Sequence, residues 1–298
     1  MRSIVRFSAI IIAGVVFLEG CADFGRLSET SAEMAQTPIS ETPSGKTYPG
    51  KFIWHDLLTP DPQLAGKFYA QLFGWQIEYQ ENYAVVRNGD KLIAGILQVK
   101  SPDDRIREGI WVPSVSVADV DAAAGLVEAN GGKILKGPVD MDPRGRTALI
   151  SDPQQAILVL LSAKGGDPVD AEAAIGDWLW NEIWTDDPDI IEGFYKAVFG
   201  YDEMSSGDQY EVFMRSGKWR AGIRHVRDEN DYRLWVPVVR VADPEATARR
   251  VKELGGVVWL APDEAPSNGE TALIGDPTGA LFLIQRWPSL AAEEELGS

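Results

Sequence analysis

The chain says the same thing twice. The stretch WHDLLTPDPQLAGKFYAQLFGW, Trp54 to Trp75, aligns without a gap on WNEIWTDDPDIIEGFYKAVFGY, Trp180 to Tyr201. The echo continues through Ala94-Gly95-Ile96 and Ala221-Gly222-Ile223, then Trp111-Val112-Pro113 and Trp235-Val236-Pro237. It ends in Thr147-Ala148-Leu149-Ile150 with Asp152-Pro153, matched by Thr271-Ala272-Leu273-Ile274 with Asp276-Pro277. The offset drifts only from 126 residues (Trp54 to Trp180) to 124 (Asp152 to Asp276), so one domain has been duplicated with small loop changes.

Each copy divides again. Residues 51–58 alternate as a strand, and Asp61-Pro62 supplies an N-cap with proline in the first turn of an amphipathic helix that Gly74 closes. Strands Tyr83–Arg87 and Leu92–Val99 follow, with Asn88-Gly89 as the expected hairpin turn. The order then restarts: strand 110–117, an Asp119-capped helix ending at Gly131-Gly132, and strands 133–137, 146–151 and 155–161. Each half is a β-α-β-β-β unit used twice. The expected fold class is α+β, a tandem duplication with four such modules.

Composition limits the partners. Of 298 residues, 45 are acidic and 28 basic, a net charge of −17 that repels phosphate backbones and argues against nucleic acid. The single cysteine, Cys21, leaves no disulfide framework and no CxxC zinc site. It follows a basic start, Met1-Arg2, and an apolar run from Phe7 to Leu18, in LEGC. That segment resembles a bacterial lipobox, with Glu19 as the departure from the pattern; an ordinary secretory signal or anchor helix is the alternative. The expectation is a signal peptide over 1–21, acylation of Cys21, and a protein held on the cell envelope facing the periplasm or exterior. Residues 22–49 read as a flexible tether, 50–163 as the first domain, 164–176 as a linker, 177–288 as the second domain and 289–298 as an acidic tail.

The paired modules, the FYxxxFG helix and the DP turn before the last strand resemble the vicinal oxygen chelate superfamily, which includes glyoxalase I, extradiol dioxygenases and bleomycin-resistance proteins. The W-x-[DE]-x-x-T opening is similar to a tandem glyoxalase-like group labelled hydroxylase-like. The resemblance implies two half-barrel pockets, one per half, packed as an intramolecular pseudo-dimer. In metal-dependent members the floor carries His or Glu ligands. Counted from the capping Asp and DP anchors, those slots fall on Trp54, Val112 and Val159 in the first half and on Trp180, Val236 and Leu283 in the second. Indole, valine and leucine offer no metal donor, so no cofactor is expected. Shifting the count by one brings His55 and Asn181 into the first slots but no carboxylate with them.

Strand alternation puts Trp54, Asp56 and Leu58 on the pocket face and turns His55 and Leu57 toward the helix layer or solvent; Trp180, Glu182 and Trp184 share the equivalent face. Trp54, Asp56, Trp180, Glu182 and Trp184 are therefore the candidate ligand-binding residues, for a small aromatic or cationic molecule. Asp56 and Glu182 are also the candidate general bases, and the competing reading gives each a structural hydrogen-bond or arginine partner. His225 reads as a strand-end surface residue, and Arg144 and Arg146 as solvated loop charge. Three functions stay open: an envelope-anchored, metal-free binding protein, an enzyme using metal or a carboxylate base, and an interaction module whose pockets are filled by their own indoles.

Overall fold

The computed structural model describes residues 37–80, 83–99, 108–206, 210–226, 233–265 and 269–287. Cys21, the signal segment and the acidic tail lie outside the described residues.

Each half forms one eight-stranded mixed sheet. In the first, β1 (Phe52–Thr59), β2 (Gln76–Tyr79), β3 (Tyr83–Asn88), β4 (Lys91–Gln98), β5 (Ile110–Ser116), β6 (Lys133–Met141), β7 (Gly145–Ser151) and β8 (Ile157–Ala163) lie in the order β2-β3-β4-β1-β5-β8-β7-β6. Its helices are α1 (Pro62–Phe73) and α2 (Val120–Ala129). The second half repeats this with β9 (Trp178–Thr185), α3 (Pro188–Phe199), β10 (Glu203–Ser206), β11 (Tyr210–Arg215), β12 (Lys218–His225), β13 (Leu234–Arg240), α4 (Pro244–Glu253), β14 (Val257–Leu260), β15 (Thr271–Gly275) and β16 (Leu281–Gln285). All four helices start on an aspartate whose side chain accepts a first-turn N–H: Asp61 from Leu64, Asp119 from Ala122, Asp187 from Ile190 and Asp243 from Ala246. The β3–β4 hairpin turns on Gly89-Asp90, since Asn88 pairs directly with Lys91; the turn lies one residue later than the dipeptide rule placed it.

The helices lie between the two sheets, α2 against α3 and α1 against α4. One core joins Val120, Ala123 and Val127 of α2 to Ile191, Phe194 and Val198 of α3; the other joins Ala65 and Phe68 of α1 to Val251 of α4 and Ile274 and Phe282 of the second sheet. Neither half could bury its helix face alone, so removing one exposes the core of the other. The repeated FY and DP motifs tie this seam. Tyr195 of α3 donates to Asp152 of the first half at 2.9 Å and accepts the Trp235 indole N–H at 2.9 Å. Tyr69 of α1 accepts from Trp111 at 2.9 Å and faces Asp276 of the second half. Burial lifts the Asp152 carboxyl to about 6, against the pull of the Tyr195 hydroxyl.

The seam also holds His55. Its Nε2 meets Asn181 Oδ1 at 3.0 Å, joining equivalent positions of the two halves, and its ring packs 4.3 Å from Trp178. Burial pushes the imidazole down to about 4, so it is neutral at physiological pH.

The end of the expected flexible tether and the linker are both docked. Residues 37–49 are the end of the expected tether, yet Ile39 is buried with Ile53, Trp54 and Leu161, and Glu41 pairs with Arg87 at 2.6 Å. Backbone bonds between Ser44 and Asp167 and between Asp167 and Lys46 then fasten this segment to the linker. Asp170 of the linker pairs with Lys51 of the first half and with Lys218 and Arg220 of the second. An apolar residue every few positions was too sparse to show as a periodic signal, but one isoleucine and a set of backbone bonds suffice to hold an extended segment.

Candidate functional site

The face of each sheet turned away from the helices carries the residues singled out by alternation, and the two faces differ. In the first, Asp56 Oδ1 accepts from Trp54 Nε1 at 3.0 Å and from the Tyr83 hydroxyl at 2.8 Å. Its Oδ2 accepts from Arg144 Nη1 at 2.8 Å, and Arg144 Nη2 also donates to the Tyr83 oxygen at 2.7 Å. The Arg144 side chain is 3% exposed and that of Asp56 2%. Both carboxylate oxygens are used inside the protein, and the indole of Trp54, fully buried under Ile39, offers no surface to a ligand. Asp56 is thus an internal counter-ion rather than a ligand group or base. Arg144 is not solvated loop charge either: the β6–β7 turn carries it over the sheet to neutralise Asp56, as a buried carboxylate requires. Arg146 does lie on the surface, paired with Asp121 and Asp140.

The second face uses the same carboxylate position differently. Glu182 is buried and Arg224 grips it with two bonds, Nε to Oε2 at 2.7 Å and Nη2 to Oε1 at 3.0 Å. Trp184 Nε1 reaches Oε2 more loosely at 3.4 Å. Arg224 stands on β12, in register with Trp184, and its side chain is 29% exposed. The arginine therefore comes from a different strand than in the first half, and water reaches it. Tyr210 packs under the guanidinium, 5.1 Å from ring centre, and its hydroxyl lies beside Glu182, a placement possible because Gly222 has no side chain. Gly95 makes the same room for Tyr83, which explains the repeated Ala-Gly-Ile.

Trp180 does not donate to Glu182 as Trp54 does to Asp56. Its ring instead packs 5.8 Å from Trp219 and 4.9 Å from Trp287, which are themselves 5.5 Å apart. Trp219 is 47% exposed. A bulge at Leu179 turns two consecutive side chains, Leu179 and Trp180, to this face and returns Trp178 to the seam. Sequence reasoning missed Trp219 and Trp287. The available signal was the count of ten tryptophans, of which Trp75, Trp111, Trp178 and Trp235 are accounted for in the seam.

The family's metal slots can now be tested on register. Trp54 lies opposite Ser114, and Ser114 opposite Val159; Trp180 lies opposite Val238, and Val238 opposite Leu283. The middle slots are thus Ser114 and Val238, with the counted Val112 and Val236 lying opposite Asp56 and Glu182. With either choice, each row has no imidazole or carboxylate, and among the described residues no three His, Cys, Asp or Glu side chains converge. A divalent ion does not fit these donors. His225 sits at the end of β12, 3.3 Å from Glu211 and away from Glu182. A surface groove of about 600 Å³ on the outside of α1, lined by Asp61, Gln63, Leu64, Lys67 and Tyr79, holds no comparable chemistry, since Asp61 is committed to its cap.

Comparison with known proteins agrees with this architecture. The family model described as Glyoxalase/Bleomycin resistance protein/Dioxygenase superfamily matches residues 51–159, and one described as Glyoxalase-like domain matches 182–285. The chain belongs to this superfamily. The glyoxylase-named CFP32 of Mycobacterium tuberculosis (strain CDC 1551 / Oshkosh) is 30% identical over 243 residues, covering 78% of this chain and 92% of that protein. The anthracycline biosynthesis protein DauV of Streptomyces sp. (strain C5) is 29% identical over 259 residues, covering 79% and 93%. Among solved structures, the Mn(II)-bound glyoxalase of Novosphingobium aromaticivorans aligns with a TM-score of 0.58 at 16% identity over 80% of this chain and 83% of that one. The 2,3-dioxygenase LapB of Pseudomonas sp. KL28 aligns with 0.58 at 11%, over 82% and 96%. These two show the shared fold of the superfamily.

Proposed function

We propose that this superfamily member is a metal-free binding protein whose working site is the open face of the second domain, and that it takes a small planar aromatic ligand. The observation that carries the reading is the cluster of Trp180, Trp219 and Trp287 beside the solvent-reached Glu182–Arg224 pair, with no such surface on the sealed first face. Ring centres only 4.9 to 5.8 Å apart are in contact with one another, so no cation fits between them. A flat ring stacking on the outer side of the cluster, over Trp219, does fit. The relative named for anthracycline biosynthesis supports the same class, an anthracycline being a planar polycyclic aromatic. Binding without turnover is the better reading because both oxygens of Glu182 are held by Arg224, which leaves no free base.

Two measurements test this. After dialysis against Zn, Mn, Ni and Fe salts, elemental analysis should find well under one metal ion per chain; a stoichiometric ion sinks the metal-free reading. Calorimetry with planar aromatic sulfonates should give micromolar binding that Trp219→Ala weakens at least tenfold. The envelope location is part of the same proposal and rests on LEGC: Cys21 should incorporate an alkyne-tagged fatty acid in a bacterial host, and Cys21→Ser should abolish the label.

A further inference from the structure

The linker grips the tryptophan cluster at two points. Lys218 and Arg220 flank Trp219 on β12, and both reach one linker carboxylate: Lys218 Nζ donates to Asp170 Oδ2 at 2.8 Å, and Arg220 donates to Oδ1 and to Oδ2 at 3.1 Å. Trp287 lies beyond Gln285, the last residue of β16. Its carbonyl accepts from Arg240 Nη2 at 2.9 Å, while Nη1 of the same guanidinium donates to Glu172 Oε1 at 2.8 Å and to the Ala173 carbonyl, both in the linker. Arg240 is 8% exposed and the Asp170 side chain 13%, so these are enclosed contacts rather than surface ion pairs. A planar guanidinium holds its bonds at fixed angles, so the position of the linker is passed on to Trp287.

The first half is built differently at the matching positions. At the 124-residue offset of the Asp-Pro anchors, Arg240 corresponds to Ser116 and Trp287 to Ala163; counted from the Ala-Gly-Ile repeat, Trp219 corresponds to Leu92. Ser116 also binds the linker, its hydroxyl donating to Asp167 Oδ2 at 2.6 Å, but a hydroxyl has a single proton and no second arm. Leu92 and Ala163 pack beside Ile39 and Trp54 on the sealed face. The copy with the open aromatic rings is the one with a forked contact to the linker.

From this we infer that Asp170 and Arg240 are positioning residues for the aromatic site: the linker braces Trp219 and Trp287 against Trp180 and sets the surface on which the ligand stacks. The inference rests on the second face being the ligand site, and adds that the linker builds that site together with the sheet. Asp170 also pairs with Lys51 at 3.2 Å, which anchors the brace in the first domain. Rings ordered before the ligand arrives spare it the cost of ordering them.

The test uses the full-length chain labelled with fluorotryptophan, each fluorine resonance being assigned by a single Trp→Phe substitution. Asp170→Asn and Arg240→Met should shift or broaden the Trp219 and Trp287 resonances and leave those of Trp75, Trp111 and Trp178 in the seam unchanged. Arg240→Lys, which keeps the charge and loses the fork, should behave as Arg240→Met does. Ser116→Ala, which cuts the first half's bond to the linker, should leave all of them in place. Calorimetry with anthraquinone-2-sulfonate should show binding weakened roughly three- to tenfold by Asp170→Asn and by Arg240→Met, the span of one aromatic contact, with unchanged stoichiometry. Unchanged Trp219 and Trp287 resonances and unchanged affinity, with only Tm lowered, would reduce both residues to structural ties and overturn the inference. Movement of the seam resonances as well, or an equal effect from Ser116→Ala, overturns it in favour of a general loosening. If the native protein does not bind the probe while Trp219 and Trp287 move as expected, the ligand reading fails and the brace stands.

Discussion

The two non-helical faces began as copies, and their arginines record how they diverged. Both keep a carboxylate on the first strand, Asp56 and Glu182, over a glycine that admits a tyrosine, Tyr83 and Tyr210. In the first, the cation arrives from the β6–β7 turn as Arg144, crosses the face and seals it, with Ile39 closing the remaining side. In the second, the cation stands within the sheet as Arg224, on the strand beside the carboxylate, and the rest of the face is left to aromatic rings. Neutralising the same buried charge from the sheet rather than from across it is what keeps a surface available. One copy of the duplicated half therefore has a sealed face and the other an open aromatic one.

The largest effect that could break this comparison is on stability. Arg144→Met strands Asp56 as an unpaired buried charge and should cost about 3–5 kcal/mol, a fall in Tm of roughly 10 °C. Arg224→Met, where water can enter the vacated space, should cost only about 1–2 kcal/mol. Equal losses in thermal unfolding would mean that the faces are equally closed.

The seam that both faces share comes next. His55 takes up a proton near pH 6.5 when unfolded but resists to about 4 when folded, so its contribution is complete above 6.5 and is lost as pH falls from 6.5 to 4. That window spans about 2.5 units and is worth about 3 kcal/mol. Asp152 acts in the opposite sense, since its raised folded-state value makes ionisation unfavourable and costs stability as pH rises from about 4 to 6. His55→Gln isolates the imidazole by difference: the stability lost on mutation, read from urea midpoints, should be larger at pH 6.5 than at pH 4, and a loss independent of pH would remove His55 as a pH-dependent contributor. A smaller effect, about 2 kcal/mol, is expected for Ile39→Ala, measured in the same way. That variant should gain no aromatic binding, because Trp54 and Asp56 remain bonded to each other.

The duplication, the strand and helix order and the capped helices were legible because they are local: repeats, Asp-Pro caps and alternation need no knowledge of the partner sheet. Alternation also put Trp54 with Asp56 and Trp180 with Glu182 correctly on one face each. What it could not carry is contact across the fold. Arg144 lies 88 residues from Asp56, and nothing in DPRGRT marks it as the buried partner while its neighbour Arg146 stays at the surface. His55 is one of two histidines in the chain, and its role is set by Asn181, 126 residues away. The bulge at Leu179 and the meeting of Trp219 with Trp287 are likewise tertiary events, invisible to a period-two pattern.

The central claim, one open site per chain on the second domain, is tested most directly by the stoichiometry of anthraquinone-2-sulfonate binding, measured by calorimetry on the native protein, Trp219→Ala and Ile39→Ala. The expected result is one site per chain, lost in Trp219→Ala and unchanged in Ile39→Ala. Two sites per chain, or one site that survives Trp219→Ala, would contradict it.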